Sequence, residues 1–104
     1  MNAARCTKFL KAVADPERLR IIQCLQAGPL SVGEIAELLK TPVANASHHL
    51  KQLRVAAVVT GRKRGKQVIY ALAPDVLKRP PKGKGAALDV LDFGCCRLEL
   101  GEQK

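Results

Sequence analysis

No stretch of this chain approaches the roughly 18–20 consecutive apolar residues that a membrane-spanning helix requires. The opening segment, MNAARCTKFLKAVAD, also lacks the unbroken apolar core of a signal peptide. The cytoplasm is therefore the expected compartment, with no membrane partner. Four cysteines are present, Cys6, Cys24, Cys95 and Cys96. In that compartment they are expected as free thiols, not as a disulfide framework. There is no C-x-x-C motif and no cofactor-binding loop, which argues against a small thiol enzyme. The adjacent pair His48-His49 has no nearby carboxylate to orient a general base. No enzymatic activity is expected. Acidic residues are missing from one long segment: residues 41–72 hold no Asp or Glu.

That acid-free segment carries six basic residues, Lys51, Arg54, Arg62, Lys63, Arg64 and Lys66. The whole chain has 104 residues and a net charge of +9. Residues 1–40 contribute +2, residues 41–72 contribute +6 and residues 73–104 contribute +1. The excess sits in one block, as expected of a surface that meets a polyanion. A merely solvated face usually mixes in acids. The length suits one domain. The apolar share of 47% is ordinary for a globular protein. So short a chain buries a thin core, in keeping with a partner subunit.

Residues 3–14 have a helical stripe: Cys6, Phe9 or Leu10, and Val13. Asp15-Pro16 supplies an N-cap followed by proline at the first helical position, so a second helix begins there. Its expected inner face is Leu19, Ile22 and Leu25, and Gly28-Pro29 ends it. Ser31-Val32-Gly33-Glu34 is a capping box that opens a third helix, with Val32, Ile35, Leu38 and Leu39 inward. Thr41-Pro42 repeats the device of residue 15 for a fourth helix running to about Arg54, with Val43, Ala46, Leu50 and Leu53 inward. The short connection between the last two helices suits a helix-turn-helix. Beyond Ala56 the period changes to two. Val58 and Val59 enter one strand. Val68, Tyr70 and Leu72 alternate on another. Gly61 to Lys66 reads as a flexible basic loop between them. Residues 78–85 (KRPPKGKG) read as a linker. Residues 86–93 are long enough for about two helical turns, with Gly94 as the stop. Residues 95–100 fit a strand as well as a helix.

The segments ADPERLRIIQCL, LSVGEIAELL, ASHHLKQLR and RKRGKQVIYAL closely resemble the ArsR/SmtB family of bacterial transcriptional repressors, over about residues 9–73. The most specific piece is Ser47-His48-His49-Leu50-Lys51. The resemblance implies a mainly α fold with a two-stranded β-wing, a winged helix-turn-helix. It also implies a homodimer, in which the first and last helices usually make the interface. Such a dimer binds a palindromic double-stranded DNA operator and is released by an effector, commonly a metal or metalloid ion. Two of the family's sensing sites are missing. Where arsenic-sensing relatives have thiols in a pattern like C-V-C-D-L, this chain has Ser31-Val32-Gly33-Glu34-Ile35. The site that pairs Asp and His with His and Glu on the last helix also has no counterpart, since no histidine follows His49.

The expected organisation is a DNA-binding domain over residues 1–77, a basic Pro/Gly linker over 78–85, and a dimerisation or sensing tail over 86–104. On the fourth helix, Asn45, Ser47, His48 and Gln52 are candidates for base edges, because amide and hydroxyl groups match base-edge patterns. Lys51 and Arg54 are candidates for phosphates. So are Arg62, Lys63, Arg64 and Lys66 on the wing, which are also placed to reach a minor groove. His49 sits on the inward-turning side. Cys95 and Cys96, with Cys6 as the third sulfur, are the candidate metal ligands. Thiolates suit arsenite, antimonite, Cd(II) or Zn(II) as the effector. Two alternatives stand beside this: a thiol redox-sensing repressor, and a winged-helix regulator with no metal site.

Overall fold

The computed structural model describes residues 3–78 and 89–100. Helix α1 (Ala3–Val13) leads into α2 (Pro16–Leu25). A two-residue strand β1 (Leu30–Ser31) precedes α3 (Val32–Leu39), and α4 (Val43–Val55) follows. Strands β2 (Val59–Arg64) and β3 (Gln67–Leu72) form an antiparallel hairpin, with β1 on the other side of β3. A second sheet, in the order β4-β5-β6, is built from Leu77–Lys78, Val90–Asp92 and Arg97–Glu99.

Helix starts follow local chemistry. The Asp15 carboxylate accepts from the Glu17 and Arg18 amides at 2.9 and 3.1 Å. The hydrogen bond from the Arg18 amide holds its pKa below the usual carboxylate value. Burial works in the opposite direction. Electrostatic interaction with His49 and Arg18 and the hydrogen bond from the Glu17 amide add to the lowering. Ser31 Oγ accepts from the Glu34 amide at 3.1 Å, while Glu34 returns the bond to the Ser31 amide at 2.9 Å. That is the capping box expected from the sequence.

Thr41 does not repeat the device. Pro42 occupies the N-cap of α4, and no side chain caps the first turn. Thr41 is drawn back toward α3 instead: its amide donates to the Ala36 carbonyl at 3.1 Å, and that of Lys40 to Glu37 at 3.2 Å. Lys40 takes a left-handed conformation, φ 54°. This pair of bonds closes α3 as a Schellman motif. The same motif closes α4, with Ala57 at φ 63° and the Ala57 and Val58 amides bonded to Arg54 and Leu53 at 2.9 Å each.

The core gathers Ile21, Ile22 and Leu25 of α2, Ile35 and Leu39 of α3, and Ala46, Leu50 and Leu53 of α4. Val58, Val59, Tyr70 and Leu72 close it from the sheet, and Phe9 and Val13 from α1. Three expected inner residues lie outside it: Leu19, Leu38 and Val43 are 37%, 55% and 52% exposed. α2 packs against α1, α3, α4 and β3 together. Its buried face is thereby centred on Ile21 and Ile22. Leu38 and Val43 flank the tight α3–α4 turn, where Leu39 and Ala46 take the inward positions.

The C-terminal region also departs from expectation. Within residues 86–93, residues 90–92 form strand β5 and not a helical turn. Leu91 pairs with Leu77 and Leu98 and is fully buried. Gly94, expected as a helix stop, sits at φ 88° in the turn between β5 and β6. The tail alternation resolves as strand β6. Of the expected linker, Lys78 belongs to β4, and residues 79–85 lie outside the described residues.

Candidate DNA interface and thiol cluster

Helix α4 is amphipathic across its width. Ala46, Leu50 and Leu53 are buried against the core, while Asn45, Ser47, His48, Lys51, Gln52 and Arg54 are exposed. A period of 3.6 separates these two sets without forcing any polar group inward. His49 lies between them. Its Nε2 is 3.0 Å from Glu17 Oε2 on α2, and its side chain is 18% exposed. That contact ties α4 to α2 and holds His49 away from the outer face.

The hairpin is longer than a loop with short flanks. β2 pairs with β3 from Val59↔Leu72 to Arg64↔Gln67. Gly61, Arg62, Lys63 and Arg64, expected in a flexible loop, are therefore strand residues. The turn itself is Gly65-Lys66, with Gly65 at φ 62°. A glycine with positive φ first in a two-residue connection is the type II′ arrangement, whose twist matches the strands. Period two then sorts the cations. Arg62 and Arg64 share a face with Thr60, and with Ile69 and Ala71 of β3 they line a shallow depression beside Pro29. Lys63 projects to the other side. Arg62, Lys63, Arg64 and Lys66 are all exposed.

Gly61 makes the hairpin's inner face possible. A Cβ there would lie 3.1 Å from Tyr70 Cε1 and 3.3 Å from Val68 Cγ1. The tyrosine ring covers the glycine and anchors the wing to the core. A second positive surface takes its cations from outside the acid-free segment. A groove of about 330 Å³ between α1 and the end of α4 is lined by Lys8, Lys11, Arg18, Gln52 and Val55, among others. The signal was available: Lys8 and Lys11 are spaced three apart on a helix and so share a face.

At the opposite end of the chain the structure brings together Cys6, Cys95 and Cys96. Cys6 and Cys95 form a disulfide across a separation of 89 residues. This overturns the expectation of four free thiols. That expectation rested on the compartment, whereas the pairing follows from packing. Phe9 stacks on Phe93 with ring centroids 4.7 Å apart and an interplanar angle of 8°. Cys6 lies one turn before Phe9 on α1, and Cys95 two residues beyond Phe93 in the β5–β6 turn. The aromatic stack therefore presents one sulfur to the other. Cys96 Sγ is 3.9 Å from both Cys6 Sγ and Cys95 Sγ. All three sulfurs lie within 4.8 Å of one another, and no other such group of His, Cys, Asp or Glu occurs among the described residues. Cys24 stands apart, half-buried, and burial raises its thiol pKa.

Comparison with known proteins places the helical region. Residues 13–62 match a family model described as a helix-turn-helix domain. The chain is 35% identical over 68 residues to the transcriptional repressor SdpR of Bacillus subtilis, covering 65% of this chain and 76% of that protein. It is 34% identical over 79 residues to a cadmium resistance transcriptional regulatory protein CadC homolog of Staphylococcus aureus, covering 75% and 65% of the two chains. For two mycobacterial regulators the shared region falls to 58% and 49% of their lengths. Among solved structures, the homodimeric winged helix-turn-helix DNA-binding domain of Mb0332 from Mycobacterium bovis is described as a possible ArsR-family regulator. It superposes with a TM-score of 0.67 at 28% identity, covering 69% of this chain and 67% of that one.

Proposed function

Because the chain belongs to the ArsR/SmtB family of helix-turn-helix transcriptional regulators, DNA-binding proteins and not enzymes, we propose that it acts as a homodimeric repressor of a palindromic operator. α4 enters the major groove. Asn45, Ser47, His48 and Gln52 meet base edges, while Lys51 and Arg54 meet phosphates. Arg62, Lys63, Arg64 and Lys66 of the β2–β3 wing hold the flanking backbone. The uncapped first turn of α4 leaves amides available to a phosphate as well. One observation carries this reading: every one of these ten side chains is exposed, on a segment without a single acid. Two copies related by a two-fold axis would read half-sites one helical turn apart or a multiple of it.

The effector in this reading is a soft metal or metalloid ion, such as arsenite, antimonite, Cd(II) or Zn(II). Cys6, Cys95 and Cys96 would hold it as thiolates. The three sulfurs fit such an ion once the Cys6–Cys95 bond is reduced. The disulfide favours a second reading, thiol redox control of the same repressor.

The DNA assignment is tested by a salt titration with a duplex selected from a random pool and with an unselected duplex. The double variant Arg62→Ala/Arg64→Ala should weaken binding to both. It should also flatten the dependence of log affinity on log salt by about one for each phosphate that is no longer neutralised. An unchanged slope would remove the wing from the interface.

A further inference from the structure

The cysteine cluster has two states that exclude one another. In the first, Cys6 and Cys95 are joined and Cys96 is the one remaining thiol. A single thiolate is a weak anchor for a soft ion, and both sulfurs of the bond have given up the charge that would bind it. In the second, that bond is reduced and all three sulfurs are thiols; they lie within 4.8 Å of one another in the disulfide form, so only a small separation of Cys6 from Cys95 is needed for one ion to touch all three. α1 supplies one sulfur and the β5–β6 turn supplies two, so either state ties the same two elements together.

We infer that the cluster is a redox-gated effector site: soft-metal binding and the Cys6–Cys95 disulfide are alternative occupancies of the same sulfurs, and oxidation makes the protein blind to its effector. This rests on the effector reading above and makes metal sensing and redox sensing two inputs to one device. The step that opens the site consumes two molecules of a small thiol. The first attacks the exposed Cys95 sulfur, breaks the bond to Cys6 and releases Cys6 as a thiolate, which takes up a proton. The second attacks the mixed disulfide at the small-molecule sulfur and frees Cys95. The small thiols leave as their own disulfide, and the protein gains two electrons and two protons. Metal binding then displaces protons from the three thiols.

The structure also divides the cysteines: Cys6 and Cys95 belong to both the disulfide and the site. Cys96 belongs to the site but not to the disulfide, and Cys24 belongs to neither. The test uses the full chain and Cd(II) alone as the probe. Thiol titration in denaturant should count two free thiols before reduction and four after it. Native mass spectrometry and sulfur-to-cadmium charge-transfer absorption should show one Cd(II) per protomer in the reduced protein. Affinity should be on the order of 100-fold lower in the oxidised protein. Cys96→Ser should keep the disulfide yet bind Cd(II) at least about tenfold more weakly when reduced. Cys24→Ser should change neither result. Equal Cd(II) affinity before and after reduction would overturn the inference, as would a reduced protein that binds none. DNA binding by the metal-free protein is measured separately by gel shift. Its absence would sink the repressor reading and leave the metal result standing, whereas missing Cd(II) uptake with intact DNA binding would sink the gate alone.

Discussion

Gly61 shows how one residue fixes the geometry of the wing. Arg62, Lys63 and Arg64, which follow it on β2, are exposed and, as far as the fold is concerned, tolerate exchange of their side chains. Gly61 does not, because the Tyr70 ring and the Val68 methyl already fill the space beside it. Tyr70 is 9% exposed and belongs to the core, so it has little room to retreat. Gly61→Val places three carbons into that space, and overpacking of this kind costs about 1–3 kcal/mol. Urea denaturation should show the loss as a lower midpoint at unchanged slope. A midpoint equal to that of the parent would mean that the ring is free to move aside. His49 makes the complementary point. It belongs to the most family-specific run of the chain, yet it faces Glu17 on α2 and acts by orienting α4.

At the scale of elements, helix starts and helix ends differ in what fixes them. The start of α3 depends on two side chains three residues apart, Ser31 and Glu34, and such a device is legible in sequence. The start of α4 looks the same on paper, but Thr41 is captured by the end of α3. The two sites therefore predict different responses. Ser31→Ala removes a real cap and should lower stability by about 1 kcal/mol, while Thr41→Ala should cost a few tenths or less. Equal losses in thermal unfolding would refute the assignment of Pro42 as the N-cap. The same contrast explains what could be read elsewhere. The capped helices, the basic hairpin and the outward face of α4 followed from local pattern. The extent of β2 did not, because Arg62, Lys63 and Arg64 are exposed on both faces and leave no apolar alternation to count. The two-residue strand β1 exists only through its pairing with β3. Within the segment AALDVLDF, residues 90–92 pair with β4 and β6, and that long-range pairing decides for a strand there. The Cys6–Cys95 bond spans nearly the whole chain, so no local rule reaches it. A faint signal did exist: the only two phenylalanines lie three and two residues from those cysteines.

For the whole molecule, the question is what holds the two ends of the chain together. The helix-turn-helix and wing form one continuous core around Ile22, Leu50 and Val58, all fully buried. α1 and the β4-β5-β6 sheet close over one side through the Phe9–Phe93 stack and the disulfide. Closing a loop of 89 residues removes much of the unfolded chain's freedom, worth on the order of 4 kcal/mol in the chain-entropy model and typically about 2–4 kcal/mol when measured. Reduction should therefore lower the unfolding free energy by about 2–4 kcal/mol, and Cys6→Ser should match the reduced parent whether or not reductant is present. Both comparisons need one fixed protein concentration, because the proposed homodimer would have an apparent stability that moves with it. Cd(II) added to the reduced parent should restore part of the loss, since a ligand held only by the folded state stabilises it by mass action, and it should leave Cys6→Ser closer to its metal-free value. A reduced protein as stable as the oxidised one would show that the aromatic stack and the second sheet hold the ends together unaided. The disulfide would then control which sulfurs are free without contributing to the stability of the fold.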